Sequence, residues 1–330
     1  MNNRIERLQS KLEEQQIDAL LVTNTSNRRY ISGFTGSSGF ALITKHTALF
    51  LTDFRYSEQA KQQCQGLDVI IFNNPPGELE TLRQQLKEQG VKKLGFEMST
   101  MSYGQYQTYT QKLTEVELVP VEGLIESLRL IKDESELVLI RKAVQIADDA
   151  FTHILGFLRP GITEIDVETE LEFYMRKQGA KSSAFDIIVA SGPRSALPHG
   201  RASERVLQPN EFITMDFGAI YDGYISDITR TVVLGEAMDK HHEIYNIVLE
   251  AQLKGVNDIK AGLTGKEADA LTRDIISNYG YGEYFGHSTG HGIGLDVHEG
   301  PRLASNNETI LEPGMIVTVE PGIYLPGFGG

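Results

Sequence analysis

The fold is decided by residues 212–234, FITMDFGAIYDGYISDITRTVVL. Two runs rich in β-branched and aromatic residues flank the dipeptide Asp222-Gly223, which is a strong signal for a two-residue β-hairpin turn. The sequence therefore predicts two antiparallel strands, 212–221 and 224–234, joined by this turn. Because each strand carries one aspartate inside an apolar run, the pairing register decides where those carboxylates lie.

The predicted hairpin brings two carboxylates to one face. Its turn pairs Asp216 with Thr229 and Asp227 with Gly218, and the two pairs share a face because they differ by two positions on each strand. The aspartates are then diagonal neighbours, roughly 7–8 Å apart at the backbone. Gly218 has no side chain opposite Asp227, which leaves room for that carboxylate. The alternative, two aspartates in a solvated turn, fits the surrounding apolar residues less well.

Two later segments supply further groups that bind metals. Residues 291–294 (HGIG) begin with His291, and residues 319–322 (VEPG) carry Glu320 within a predicted strand, 315–324. Ionised groups on buried apolar segments are costly unless something pairs with them, and a cation is the simplest partner. Together with the two aspartates, these residues predict an oxygen-rich site for divalent metal.

A weak internal repeat suggests how the segments converge. Residues 159–166 (RPGITEID) resemble residues 260–267 (KAGLTGKE): in each, a long helix ends at a glycine and a threonine capping box begins a second helix. The first long helix is predicted to begin at Glu134, and the two second helices are predicted to end at Gly179 and Gly280. A duplicated helix-helix-ribbon unit would place the aspartates on one ribbon and the glutamate on the other.

The N-terminal part has a different pattern. Up to about residue 125, short apolar runs alternate with polar, helix-compatible segments, which is typical of an α/β layer. The predicted strands include 19–22, 48–51, 69–72 and 93–96. The charged stretch 129–136 is interpreted as a linker, so the predicted domains are 1–128 and 129–330.

Bulk properties limit the function classes. A net charge of −14 argues against nucleic acid or an anionic membrane as partner. The single Cys64 excludes an internal disulfide and fits a reducing compartment. Residues 1–16 are charged and amphipathic, unlike a secretory signal, and no apolar run is long enough to span a bilayer. A cytoplasmic location is therefore expected.

With these motifs in this order, the chain resembles the metallopeptidase family of prolidases, aminopeptidases P and methionine aminopeptidases. The resemblance implies an α+β fold: a duplicated pita-bread catalytic domain preceded by a smaller α/β domain of the creatinase/prolidase type. Residues 27–34 and 52–56 resemble that N-terminal domain, which occurs in the Xaa-Pro peptidase branch. Four of the family's five metal ligands map onto Asp216, Asp227, His291 and Glu320. The fifth, a glutamate beyond a Gly-Gly turn, is expected after Gly330, as is the strand that would carry it.

The resemblance also implies a chemical role for each ligand. Two metal ions sharing Asp227 would hold a bridging water and lower its pKa, which gives a hydroxide nucleophile near neutral pH. Asp216 would serve the first ion and His291 with Glu320 the second, while Glu320 could also act as general base. The other ring nitrogen of His291 should have a hydrogen-bond acceptor. Carboxylate ligands favour Mn²⁺, with Co²⁺, Zn²⁺ and Fe²⁺ as alternatives.

Five further residues match positions around the family's substrate. His199 and His298 would stabilise the developing oxyanion, and His287 would line the substrate pocket; a histidine beside glycine or proline is otherwise a loop hydrogen-bonder. Arg302 would clamp the free carboxylate of a dipeptide, or it is a surface arginine after a proline turn. Phe185 would pack on a proline ring, or it is a core residue that begins a strand. The other histidines are interpreted as surface or packing residues: His46, His153, His241 and His242.

The function implied is metal-dependent hydrolysis of the peptide bond before proline, with a dipeptidase slightly favoured through Arg302. The alternatives are an aminopeptidase P that acts on longer peptides and a non-catalytic relative that uses the fold to bind protein. Creatinase shares the architecture but lacks the metal-binding carboxylates, so retention of the ligand set argues against it. The implied partners are short proline-containing peptides and, as in many family members, a second copy in a homodimer.

Overall fold

The computed structural model describes residues 2–330 except for the side chain of Asn2, so Met1 of the predicted amphipathic segment lies outside the described residues. The chain divides into two compact units, one ending at Arg129 and the other running from Leu130 to Gly330. In the described residues, no helix is both long and apolar enough to cross a membrane.

The first unit is built on a six-stranded sheet with the order β4-β3-β2-β1-β5-β6. Its strands are β1 (Ala19–Val22), β2 (Phe40–Thr44), β3 (Ala48–Asp53), β4 (Asp68–Phe72), β5 (Lys93–Glu97) and β6 (Glu117–Val121). The helices are α1 (Asn2–Glu14), α2 (Thr25–Ser32), α3 (Ser57–Gln63), α4 (Glu78–Glu88), α5 (Tyr103–Lys112) and α6 (Glu126–Arg129), with a 3₁₀ turn at Phe54–Tyr56. The four predicted strands are confirmed, and strands β2 and β6 were not predicted.

The division into two units falls between residues 129 and 130, within the predicted linker 129–136, but the charges of that linker are not solvated. Arg129, Lys132 and Glu136 are only 3%, 5% and 3% exposed, whereas a linker would leave its charges in water. The guanidinium of Arg129 donates to the amide oxygen of Asn27 (2.7 Å), and the hydroxyl of Tyr224 donates to the Glu136 carboxylate (2.9 Å). Charged composition alone suggested solvation, but each of these charges has a buried polar partner.

The second unit repeats a pair of helices. These are α7 (Glu134–Phe157) with α8 (Glu164–Lys177), and α9 (Asp239–Asp258) with α10 (Gly265–Asn278). Thr163 and Thr264 each form a complete capping box at the start of the second helix, as predicted. Gly161 and Gly262, which lie within the loops between the helices, share a φ of 96°, a left-handed conformation that glycine adopts without strain. The predicted duplication of the helix pair is therefore confirmed.

The hairpin has the predicted register but not the predicted continuity. Its strands are β9 (Phe212–Phe217), β10 (Ala219–Tyr221), β11 (Tyr224–Ile225) and β12 (Ile228–Val233). Tyr221 pairs with Tyr224, and Asp216 pairs with Thr229. The strands β10 and β11 join β7 (Ser182–Ser183), whereas β9 and β12 join β8 (Ile188–Ser191), so the hairpin is shared between two sheets.

The explanation predicted for Gly218 is wrong. A Cβ atom at this position would lie 1.8 Å from the carbonyl oxygen of Ser226, so any side chain would collide with the backbone of the facing strand. The glycine is thus required by close backbone approach, where the ladder changes sheets, and not by the space that Asp227 needs.

The strand predicted at residues 315–324 does not form a regular ladder. Only one isolated bridge, Gly292–Val317, is present there. The segment nevertheless follows β13 (Gly290–Gly292), because the N–H groups of Thr318 and Glu320 donate to the carbonyls of His291 and Thr289 (2.8 and 2.7 Å). Pro321 has no N–H group and cannot extend this pattern. β13 itself pairs with β14 (Glu299–Leu303).

The apolar cores lie between the helices and these strands. In the first half, α7 and α8 bury Ile146 and Val167 against Met215 of β9. In the second half, Ile247 of α9 and Ile276 of α10 belong to a separate cluster, together with Phe212. Thr214 and Asp216 alternate with Ile213 and Met215 along β9, so these polar residues face away from the first core.

Candidate metal centre

Four predicted ligand residues come together although the chain separates them widely. Asp216 lies in β9, Asp227 directly precedes β12, His291 lies in β13, and Glu320 lies in the segment that follows β13. One ligand atom from each of Asp227, His291 and Glu320 lies within 4.8 Å of the other two. The Nε2 atom of His291 is 3.5 Å from Oδ2 of Asp227 and 3.3 Å from Oε1 of Glu320.

The tautomer of His291 is fixed by its surroundings. Its Nδ1 atom is 3.1 Å from the carbonyl oxygen of Gly292. A carbonyl can only accept a hydrogen bond, so the proton is on Nδ1 and the lone pair is on Nε2. This is the acceptor that the sequence predicted for the second ring nitrogen. The backbone N–H of His291 donates to Oγ1 of Thr318 (3.0 Å), which holds the residue from behind.

The carboxylates are held in an environment that disfavours their charge. Burial, followed by the charges of Asp227 and Glu320, raises the pKa of Asp216 to about 8. Burial, followed by the charge of Glu320, raises the pKa of Asp227 to about 7. Oδ1 of Asp216 and Oε1 of Glu320 are buried atoms that have no hydrogen-bond partner among the described residues. Three acids that repel one another in this way need positive charge between them.

This donor set fits a divalent cation. An imidazole lone pair and carboxylate oxygens converge, whereas no lysine or arginine from the described residues forms an ion pair with these carboxylates. Buried oxygens without donors are rare in proteins unless water or an ion satisfies them. Oxygen and nitrogen ligands without a thiolate are typical of sites for Mn²⁺ and similar ions.

Three further predicted residues are near His291. The rings of His291 and His298 are 4.4 Å apart between centroids, at an angle of 60°. Arg302 is the direct partner of His291 in the β13–β14 ladder, so the two side chains leave the same face. The pKa of His298 is lowered by desolvation of its ring and then by His291, with smaller effects of Arg302 and His199. His199 follows a 3₁₀ helix, Gly192–Ala196, and its side chain is exposed.

His287 has a partner that sequence reasoning missed. Its Nε2 atom is 2.8 Å from the hydroxyl of Tyr324, and its Nδ1 atom is 2.8 Å from the carbonyl of Ser288. The Ser288 carbonyl requires the proton on Nδ1, so Tyr324 donates to Nε2. Burial and the charges of Asp216 and Glu320 raise the pKa of Tyr324, which keeps its proton in place. Its position four residues after Glu320 was the only available signal.

Phe185 is less closely tied to the other predicted residues. It lies half-buried in the loop between β7 and β8, and it makes no ring or cation–π contact with other described residues. The preceding Ala184 donates its N–H to the carbonyl of Gly218 (2.8 Å), which attaches this loop to the hairpin of Asp227. The following Asp186 is exposed and pairs with Arg201 (2.6 Å).

Three buried carboxylates behind the centre were also missed. Glu164 and Asp269 are 0% and 1% exposed. The Glu299 carboxylate accepts the N–H groups of Leu295 and Asp296 (2.8 and 3.0 Å) and lies 3.4 Å from the ammonium of Lys132. In the sequence these acids are ordinary members of helix starts and turns, because their partners lie far away along the chain.

Comparison with known proteins places the chain in a family. Residues 138–330 match the model of metallopeptidase family M24, and residues 4–131 match that of the creatinase/prolidase N-terminal domain. The chain therefore belongs to metallopeptidase family M24, and it has the predicted combination of a creatinase-type N-terminal domain with a pita-bread domain. Membership of this family implies divalent metal ions.

Within that family, the chain is similar to Xaa-Pro peptidases. It is 41% identical to the Xaa-Pro dipeptidase of Pyrococcus horikoshii, over 100% of this chain and 92% of that protein. Among solved structures, an Xaa-Pro dipeptidase from Bacillus anthracis is 59% identical with a TM-score of 0.96, covering 99% of this chain and 91% of that one. An X-Pro aminopeptidase from Thermotoga maritima is 41% identical with a TM-score of 0.90, covering 97% and 92%.

Proposed function

We propose that this protein is a metal-dependent Xaa-Pro dipeptidase that hydrolyses the peptide bond before proline. The observation that carries the proposal is the convergence of Asp227, His291 and Glu320, with the imidazole lone pair directed at two carboxylates. Such a group of atoms is mutually repulsive without a cation and complementary to one when it is bound. The names of the similar dipeptidases support the substrate class.

We propose that Asp216, Asp227, His291 and Glu320 hold two divalent ions, with Mn²⁺ favoured and Co²⁺, Zn²⁺ or Fe²⁺ as alternatives. The oxygen-rich donor set supports this preference. When bound, the ions would supply the Lewis acidity that ionises a water molecule near neutral pH and polarises the scissile carbonyl. The protein's own contribution is to fix the donors: the Gly292 carbonyl holds the ring of His291 in one tautomer, and Oγ1 of Thr318 accepts the backbone N–H of His291.

In the proposed reaction Glu320 accepts the proton from the attacking water. Its Oε1 atom is buried and has no hydrogen-bond donor among the described residues, so it is open to accept a hydrogen bond from that water. His298, whose ring lies against that of His291, and His199 would donate hydrogen bonds to the oxygen that becomes negative as the carbonyl is attacked. His287, whose Nε2 atom accepts a hydrogen bond from the hydroxyl of Tyr324, would shape the pocket for the residue after the scissile bond.

The preference for dipeptides is proposed to come from Arg302. This exposed guanidinium emerges on the same face as His291, at a point where it can pair with a terminal carboxylate. A longer peptide would place a neutral amide there and lose that charge-assisted pair. The second candidate is an aminopeptidase P that acts on longer peptides, because the chain is also similar to the X-Pro aminopeptidase from Thermotoga maritima. Phe185 is proposed to contact the proline ring.

Two measurements on the metal-loaded protein test the proposal. Elemental analysis should find bound divalent metal, and hydrolysis of Ala-Pro should exceed that of Ala-Pro-Ala. Preferential hydrolysis of the tripeptide would replace dipeptidase by aminopeptidase P. Absence of both metal and turnover would favour a non-catalytic protein that binds partners. Arg302→Met keeps the length of the side chain without its charge, so it should raise the KM for Ala-Pro and leave hydrolysis of Ala-Pro-Ala nearly unchanged.

We also propose a cytoplasmic location and a homodimer. The single, buried Cys64 supports a reducing compartment. Fractionation of the cells that produce the protein, together with light scattering of the purified protein, would test the two statements separately.

A further inference from the structure

Glu164 is the most completely satisfied buried carboxylate behind the site. Its side chain is fully buried at the first residue of α8. One oxygen accepts the N–H and the hydroxyl of Ser191 (both 2.8 Å). The other accepts the N–H and hydroxyl of Ser203 (3.1 and 2.6 Å) and also pairs with the guanidinium of Arg194. A carboxylate with this many donors is held firmly in one orientation.

These partners enclose the loop that carries His199. Arg194 precedes the loop, Ser203 follows it, and Glu164 contacts both. A second nitrogen of Arg194 donates to the carbonyl of Arg201 within the loop (2.8 Å). The ring of His199 makes no hydrogen bond to other described residues, so its location depends on the backbone that carries it. The carboxylate therefore determines where the imidazole is presented.

The second half of the catalytic unit contains a similar arrangement, with its carboxylate four positions further along the second helix. Asp269 in α10 accepts the N–H and hydroxyl of Thr289 (2.9 and 2.8 Å) and forms two hydrogen bonds with Arg273 (2.6 and 2.9 Å). Arg273 in turn donates to the carbonyl of His287 (2.7 Å). In both halves, a carboxylate on the second helix thus accepts hydrogen bonds from the backbone N–H and the hydroxyl of one serine or threonine. It also pairs with an arginine, and that arginine donates to a backbone carbonyl in a segment that contains a histidine. This recurrence argues that the arrangement serves the site.

We infer that Glu164 is a positioning residue for His199, and this inference rests on the proposed function. The hydrogen-bond partners of the carboxylate among the described residues include none of the proposed metal ligands; Arg194 and Ser203 connect it to both ends of the loop, so that the exposed imidazole meets the developing oxyanion. Replacing it by glutamine keeps its size but removes the charge that Arg194 and the two serines bind. The loop should then sample other conformations, and His199 should reach the oxyanion less often.

The test is a double-mutant cycle with Ala-Pro as substrate. Glu164→Gln should lower kcat by about tenfold, with KM and bound metal unchanged, because an oxyanion donor contributes mainly to the transition state. In the His199→Ala background the same substitution should have almost no further effect. Glu172→Gln lies on the same helix in an exposed pair with Arg176 and is the matched control with unchanged activity. A full tenfold loss in the His199→Ala background would overturn the inference.

A second measurement does not depend on activity. Hydrogen exchange of residues 194–203 in the metal-loaded protein should become faster in Glu164→Gln, with no change around residues 289–293. Unchanged exchange in the loop would overturn the inference. A fully active His199→Ala variant would instead remove His199 from the proposed mechanism, so the two failures can be told apart. If Glu164→Gln fails to fold, Ser203→Ala removes one donor and leaves the buried ion pair intact. It should show the same pattern with a smaller effect, and unchanged kcat and exchange in Ser203→Ala would also overturn the inference.

Discussion

The two halves of the catalytic unit share a frame but not a chemistry. Each half has a long helix, a capping box, a second helix of equal length and a buried carboxylate that binds an arginine. The first half then presents two aspartates on a hairpin that is shared between two sheets, whereas the second presents His291 on a bulged strand and Glu320 on a segment without a regular ladder. The duplicated helices therefore provide a common scaffold, and the strands that pack on them carry different proposed ligands in the two halves.

The largest expected effect comes from removing a ligand of the first half. Asp227→Ala should lower hydrolysis of Ala-Pro by more than about 10³-fold and abolish tight metal binding, because one of the proposed metal ligands is lost. Metal content and kcat measure both effects. Asp222→Asn, at the exposed turn of the same hairpin, is the control that should behave like the parent protein. Circular dichroism should show that both variants are folded; full activity in Asp227→Ala would remove Asp227 from the site.

The pH dependence of the free energy of unfolding, measured on the metal-free protein, tests whether burial and mutual repulsion disfavour the ionised carboxylates. The pKa of Asp216 in the folded protein, about 8, lies above its ordinary value of 3.8, so between these values the unfolded chain releases a proton that the folded chain keeps. The free energy of unfolding should therefore decrease as the pH rises from about 4 to about 8 and change little above that. A decrease of a few kcal/mol across this window is expected in the presence of chelator.

Urea unfolding at several pH values measures this dependence. Asp216→Asn, which cannot ionise, should have a smaller decrease than the parent protein, and saturation with metal should remove most of it. Asp222→Asn is again the control, because its exposed side chain lies outside the cluster. An identical pH dependence in Asp216→Asn and the parent protein would show that burial of Asp216 has no energetic cost.

Sequence reasoning succeeded where the determinants are local. The register that places Asp216 opposite Thr229 follows from a two-residue turn, and the paired capping boxes follow from short motifs. It failed where the determinant is a distant partner: the close approach of Ser226 to Gly218 and the burial of Glu164 depend on packing that no local pattern contains.

The next largest effect concerns the buried carboxylates, because replacing the one in each half should change metal affinity differently. Asp269 holds Thr289, whose carbonyl accepts the N–H of Glu320 (2.7 Å), so Asp269→Asn should move a ligand and weaken metal binding by about 10- to 100-fold. Glu164→Gln should leave metal affinity nearly unchanged, since its partners hold the loop of His199 and the end of β8, where Ser191 pairs with Ile213 and not with a proposed ligand. Competitive titration with a metal indicator measures both affinities. Equal loss of affinity in the two variants would contradict this division of labour between the halves.

The smallest expected effect tests whether the two capping boxes contribute equally to the free energy of unfolding. Oγ1 of Thr163 accepts the N–H of Asp166, and Oγ1 of Thr264 accepts the N–H of Glu267, both at 3.1 Å. The N–H groups of the two threonines are bound in return, each at 2.8 Å. Replacing either threonine by alanine removes one cap, which is worth about 1 kcal/mol.

The two caps should therefore make equal contributions to the free energy of unfolding if the halves fold as one cooperative unit. Thr163→Ala and Thr264→Ala should lower the free energy of unfolding by the same amount, within about 0.5 kcal/mol. Thr152→Ala, within α7, is the control that should be neutral or stabilising, since alanine is the better helix former. Urea titrations of the metal-loaded protein measure the three values. A loss confined to one cap would mean that the half with the other cap unfolds in a separate step, and that the likeness of the halves is geometric but not energetic.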